Sequence, residues 1–112
     1  MARRGDVLAA VRKLGFASAG RREHFVVLQS DLLAGIDTLI VAPLDEDAPM
    51  YRTDPLVVRV SAAEVGAARA HAVLVHLQGA MRLDRFEAAA VGRLSSKSMG
   101  SVDRLLRTVL SL

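Results

Sequence analysis

Along most of the chain the apolar residues come in short runs broken by turn signals, and only the end switches to a helical period. Val7, Leu8 and Val11 follow a Gly5-Asp6 turn signal, which predicts a first strand over 6–11. Residues 14–20 are rich in Gly, Ala and Ser and read as a loop able to approach a ligand closely. Phe25 to Leu28 is a second β-rich run, and Ser30 or Asp31 is placed to cap a short helical turn through Leu32 and Leu33. Thr38 to Ala42 reads as a buried strand ended by Pro43, and 44–55, with three consecutive acids and two prolines, reads as loop. Leu56 to Val60 is a strand with Arg59 as its exposed residue. Ser61 and Glu64 match a capping box opening a short helix that Gly66 limits. His71 to Leu77 reads as a strand whose two histidines, having opposite parity, point to opposite faces. Two further short strands, over 79–83 and 88–94, flank an Asp84-Arg85 turn. Met99, Val102, Leu105, Leu106, Val109 and Leu110 then recur at three- and four-residue steps, with Ser95 or Ser96 as cap and Asp103, Arg104 and Arg107 opposite. Many short strands and one packed C-terminal helix predict a mostly β domain with a barrel-like sheet.

At 112 residues the chain supports one hydrophobic core, so 1–112 is read as a single domain. An apolar share of 52% is high for so small a domain and predicts that part of that surface lies in a subunit interface, making a homodimer the expected state. No apolar run approaches the ~20 residues that span a bilayer, so no membrane partner is expected. The opening residues form no apolar signal core and there is no cysteine, which together suggest a cytoplasmic protein. Residues 1–24 carry a local excess of four positive charges, which favours a polyanionic partner. With only Phe16, Phe25, Tyr51 and Phe86 as aromatics, contact with nucleic acid should be to phosphates rather than stacked bases. No glycine-rich phosphate loop, HExxH motif or histidine cluster is present, so neither metal nor cofactor is expected. Asp45-Glu46-Asp47 reads as a solvated charge run, and His71 and His76 as packed or surface residues. His24 stands out because it follows Arg21, Arg22 and Glu23 at the mouth of a strand.

The order of these features resembles a known family. Arg4-Gly5-Asp6-Val7 is similar to the R-G-D/E-V/I opening of the MazF and PemK toxins, and 15–22, G-F-A-S-A-G-R-R, stands where they carry G-S-E-Q-x-G-x-R-P. Phe25 to Asp31 resembles their V-V-L-S/Q-N/S-D strand end and equally the matching stretch of the gyrase poison CcdB. Thr38 to Leu44 is similar to T-V-I-V-A-P-L. Ala72 to Val75, Val91 to Ser95 and the helix through Val102 to Leu106 match the closing pattern. The resemblance covers essentially the whole chain. It implies an SH3-like small β-barrel of the CcdB/MazF type with a C-terminal helix, a homodimer, and a cognate antitoxin as partner.

The resemblance further implies a toxin that cleaves single-stranded RNA without metal: the ribose 2′-OH attacks its own phosphodiester while a guanidinium stabilises the growing charge. By residue order Arg22 takes the place of the catalytic arginine, with Arg21 beside it. His24 or Asp45 is the candidate proton acceptor, and Arg12, Lys13, Ser18 and Arg21 are candidate RNA contacts. The chain departs from the pattern at three points. Glu23 and His24 stand where proline follows the arginine, Asp45 stands where Thr or Ser follows the Pro-Leu step, and Ala17-Ser18 replaces Glu-Gln. Glu23 is also placed to pair with Arg22. The alternative is a non-catalytic or gyrase-directed, CcdB-like binding toxin. The Trp-Gly-Ile end of CcdB is absent, this chain ending Val109-Leu110-Ser111-Leu112 with no tryptophan.

Overall fold

The computed structural model describes residues 2–11, 22–33 and 36–112. The expected loop over 14–20 and the candidate RNA contacts Arg12, Lys13, Ser18 and Arg21 lie outside the described residues. Strands β1 (Asp6–Ala9), β2 (His24–Val27), β3 (Thr38–Glu46), β4 (Val57–Val60), β5 (His71–Leu74), β6 (Gly79–Arg82) and β7 (Gly92–Arg93) form one antiparallel sheet. The order is β4-β5-β3-β2-β1-β7, and β6 lies beside β5 along the same edge of β3. The sheet curls into a half-barrel, completed by a one-turn helix α1 (Ala62–Val65) and the C-terminal helix α2 (Ser96–Leu110).

Pro43 does not end its strand. Leu28 N–H donates to the Ile40 carbonyl at 2.8 Å, so even-numbered residues of β3 direct their backbone polar groups at β2 and odd-numbered ones away from it. Pro43 faces the other edge, between the last residue paired with β5 and the first paired with β6. No partner there requires the missing N–H, and β3 continues through Glu46, so the first three residues of the expected 44–55 loop are strand. The rest holds a 3-10 turn, Pro49–Arg52, that buries Tyr51. The strand expected over 71–77 stops at Leu74 and becomes a 3-10 turn, Val75–Leu77. The one expected over 88–94 shrinks to β7, while Phe86 forms an isolated bridge with Ala10.

Alternation within the strands divides the interior. Val7, Val26, Ala42, Leu44 and Val73 face Met99 and Val102 of α2. On the other face Leu8, Phe25, Val27, Leu39, Val41 and Phe86 form a second cluster, in which Phe25 and Phe86 meet edge-on with centroids 5.5 Å apart. The Ser95 hydroxyl caps α2 by accepting the Ser98 N–H at 3.1 Å. Met99 and Val102 are its buried residues, whereas Leu105, Leu106 and Val109, expected in the core, are only half-buried.

The capping box forms as expected and also joins the two helices. Glu64 Oε1 accepts from the Ser61 N–H at 3.0 Å, and Oε2 accepts from the Ser95 N–H at 2.8 Å. Burial pushes this carboxyl up, but hydrogen bonds from Ser95, Ser98 and Ser61 outweigh it and bring it from an ordinary 4.5 down to about 2. A depressed carboxyl contributes stability above its unfolded value and loses it as pH falls through the folded one. The wild type is therefore expected to lose stability between about pH 5 and 2. Glu64→Gln should be less stable at neutral pH and show a flatter decline in urea midpoint over that window. Parallel acid profiles would show that these bonds do not act.

Candidate active site

The register of three neighbouring strands builds one polar pocket. His24 of β2 lies opposite Leu44 of β3, and Glu46 of β3 lies opposite His71 of β5. Two-residue alternation puts His24, Leu44, Glu46 and His71 on one face. Arg22, two positions before His24, joins the line. Together with Ala67, Ala68 and Arg69 from the α1–β5 connection, these residues enclose about 140 Å³. That is room for a few waters or for a small polar group that displaces them.

The Arg22 side chain is half-exposed and its guanidinium forms an ion pair with Glu87, from the segment between β6 and β7. The rings of His24 and His71 meet edge-on, centroids 5.5 Å apart and planes at 75°. His71, almost wholly buried, lies with Nδ1 2.9 Å from the Arg69 carbonyl oxygen. Because a carbonyl only accepts, Nδ1 carries the hydrogen and Nε2 is the atom left for proton exchange. His24 Nδ1 is enclosed and finds no hydrogen-bond partner among the described residues. Burial lowers the His24 pKa, and the positive charge of His71 and of Arg22 lowers it further against a hydrogen bond with the Arg22 backbone.

Asp45 borders the pocket but belongs to the other parity of β3. Its Oδ2 accepts from the Tyr51 hydroxyl at 2.6 Å, and Tyr51 packs with Ala72 and Leu74. Burial and the Asp45 carboxylate push Tyr51 up to about 12, so the phenol keeps the proton it donates. The structure thus brings Arg22 and His24 together and engages the Asp45 carboxylate elsewhere. Glu23 is buried, and its carbonyl accepts from the Ala10 N–H at 3.0 Å.

Two participants were not singled out from sequence. His71 shares parity with Val73 rather than His76, but its approach to His24 requires the cross-strand register. Glu87 carries no local signal, since it meets Arg22 only through the return of the chain after β6. Among the described residues, no group of three or more His, Asp or Glu side chains could hold a metal.

A model of the family described as PemK-like, MazF-like toxin of type II toxin-antitoxin system matches residues 3–110. No curated protein matches the sequence significantly. Among solved structures, an endoribonuclease in complex with its cognate antitoxin from a mycobacterial species superposes with a TM-score of 0.77 at 16% identity, covering 100% of this chain and 97% of that one. The Mycobacterium tuberculosis toxin MazF-mt6 superposes with 0.74 at 13% identity, covering 96% and 97%. A MazE-MazF complex from Deinococcus radiodurans gives 0.74 at 16% identity, covering 98% and 95%. These three share the fold of this chain over nearly its whole length.

Proposed function

Because the chain belongs to the PemK-like, MazF-like toxin family of type II toxin-antitoxin systems, we propose that it is a metal-independent endoribonuclease whose active site is the pocket between Arg22 and the two histidines. The observation that carries this reading is the placement of a half-exposed guanidinium beside an enclosed, neutral-leaning imidazole, in a pocket open to a phosphate. Arg22 pairs with the phosphoryl oxygens as negative charge builds on them, through a planar fork that stays charged at every relevant pH. His24 accepts the proton of the attacking 2′-hydroxyl, which its lowered pKa suits by keeping the ring unprotonated. Asp45, the other candidate, accepts from the Tyr51 hydroxyl at Oδ2 and from the Glu46 N–H at Oδ1, so both oxygens of its carboxylate are engaged. Arg12, Lys13, Ser18 and Arg21 remain the proposed contacts to the rest of the RNA strand.

The superposed complexes with antitoxins support a cognate antitoxin as partner. A groove of about 680 Å³ with Leu8, Ile36, Leu39, Leu83 and Phe86 in its walls supplies apolar surface for assembly, consistent with a homodimer. No described helix is long and apolar enough to cross a membrane, and a cytoplasmic place is proposed with the rest.

One observation favours the non-catalytic alternative, the pairing of Arg22 with Glu87, which must open before a phosphate can bind. The discriminating experiment is incubation of purified protein with single-stranded RNA in EDTA, alongside induced expression without the antitoxin. Cleavage in EDTA together with growth arrest is the expected result. Intact RNA and unimpaired growth would favour the binding toxin.

A further inference from the structure

The sequence treats His71 as a packing residue, but its surroundings give it chemistry. It lies with His24 on the pocket-lining face, and the third histidine, His76, is exposed on the turn after β5. Its ring is oriented by the Arg69 carbonyl through Nδ1, the arrangement that fixes a tautomer and leaves Nε2 available. Opposite it, His24 has an enclosed Nδ1 without a partner among the described residues. Packing alone does not explain this, since buried polar atoms are nearly always satisfied.

We infer that His24 and His71 act as a matched acid–base pair, His24 taking the proton of the 2′-hydroxyl and His71 giving one to the departing 5′ oxygen, an inference that rests on the ribonuclease reading of this pocket. In the step, the bond from the 2′ oxygen to phosphorus forms as His24 takes the hydroxyl proton. The bond from phosphorus to the 5′ oxygen breaks as His71 Nε2 delivers its proton. A 2′,3′-cyclic phosphate and a 5′-hydroxyl leave, and the pair returns to its starting state as His24 gives its proton to solvent and His71 Nε2 takes one from it.

Charged groups surround the pair. Among the described residues, Arg22 and Arg69 are the cationic groups at the pocket, Glu46 is the cross-strand neighbour of His71 and lies 3.8 Å from Arg69, and the Asp45 carboxylate accepts from Tyr51. The two ring centroids are 5.5 Å apart, so a positive charge on His71 acts directly on His24. Burial, His71 and Arg22 lower the His24 pKa, which suits it to accepting a proton.

The test compares wild type, His24→Asn, His71→Asn and Arg22→Ala on RNA with its cleavage site mapped, and on the same RNA with the scissile 5′ oxygen replaced by sulfur, which departs without a proton. The pair predicts a bell-shaped pH profile of kcat/KM for the wild type, and about a 10²- to 10⁴-fold loss on ordinary RNA for either histidine variant. His71→Asn should recover on the sulfur substrate and His24→Asn should not. If both histidine variants cleave ordinary RNA within about threefold of wild type while Arg22→Ala is inactive, the pair is overturned and the ribonuclease reading stands. Wild-type protein that leaves RNA intact overturns both. Should His71→Asn fail to fold, the wild type still decides: the basic limb of its profile should vanish on the sulfur substrate, and its persistence would overturn the assignment of His71.

Discussion

Replacing Arg22 with alanine should slow RNA cleavage by two to three powers of ten, a loss of about 2.7–4 kcal/mol of transition-state stabilisation, while leaving the fold in place. The side chain is half-exposed and forms an ion pair with Glu87, itself 45% accessible, so little packing is lost. Exposed ion pairs contribute at most about 1 kcal/mol, and thermal unfolding should register only a small change. Arg22→Lys should recover part of the rate, because a point charge cannot reproduce a fork that pairs two oxygens. Glu87→Gln should move the other way, by up to about fivefold, since the competing carboxylate is removed. Steady-state cleavage of a defined RNA checks all three. Full activity in Arg22→Ala would place the chemistry elsewhere.

The largest effect on stability is expected at Gly66, where α1 ends against β7. Its φ of +72° lies in the left-handed region, and a Cβ built there would come within 1.8 Å of the Val91 carbonyl oxygen. Gly66→Ala therefore adds a left-handed penalty of roughly 1–2 kcal/mol to an overpacking cost of roughly 1–3 kcal/mol, a large part of the roughly 5–15 kcal/mol that holds such a domain together. The contact is mutual, since a Cβ on Gly92 would meet the Glu64 carbonyl oxygen at 2.2 Å. Urea unfolding should show a clearly lower midpoint for Gly66→Ala, and an unchanged midpoint would contradict the close seating of α1 on β7.

What could be read without coordinates was local. Ser61 and Glu64 announce a cap because both partners lie within one turn, and the spacing from Met99 to Leu110 announces a helix because its period repeats. The depth of that helix was not legible, since burial depends on which turns lie over the sheet, and Leu105, Leu106 and Val109 emerge half-exposed. Pro43 misled for a similar reason: whether a proline ends a strand depends on which neighbour its missing N–H would have met, and that neighbour is some 30 residues away in sequence. At the pocket, Arg22 and His24 were legible through the resemblance and their place before a strand. His71 and Glu87 were not, because they reach the site through pairing and chain return rather than proximity along the chain. Asp45 was legible as a carboxylate near the site, but the hydroxyl that engages it, Tyr51, lies in a turn that reads from sequence as featureless loop.

The central claim is that this pocket directs the 2′-hydroxyl of RNA at its own phosphodiester, and the ends of the product strands test it most directly. Purified protein incubated with single-stranded RNA in EDTA should yield fragments bearing a 2′,3′-cyclic phosphate on one side of the cut and a 5′-hydroxyl on the other, as read by mass spectrometry, and Arg22→Ala should yield almost none. Fragments with 5′-phosphate and 3′-hydroxyl ends, or RNA left whole by the wild type, would contradict it.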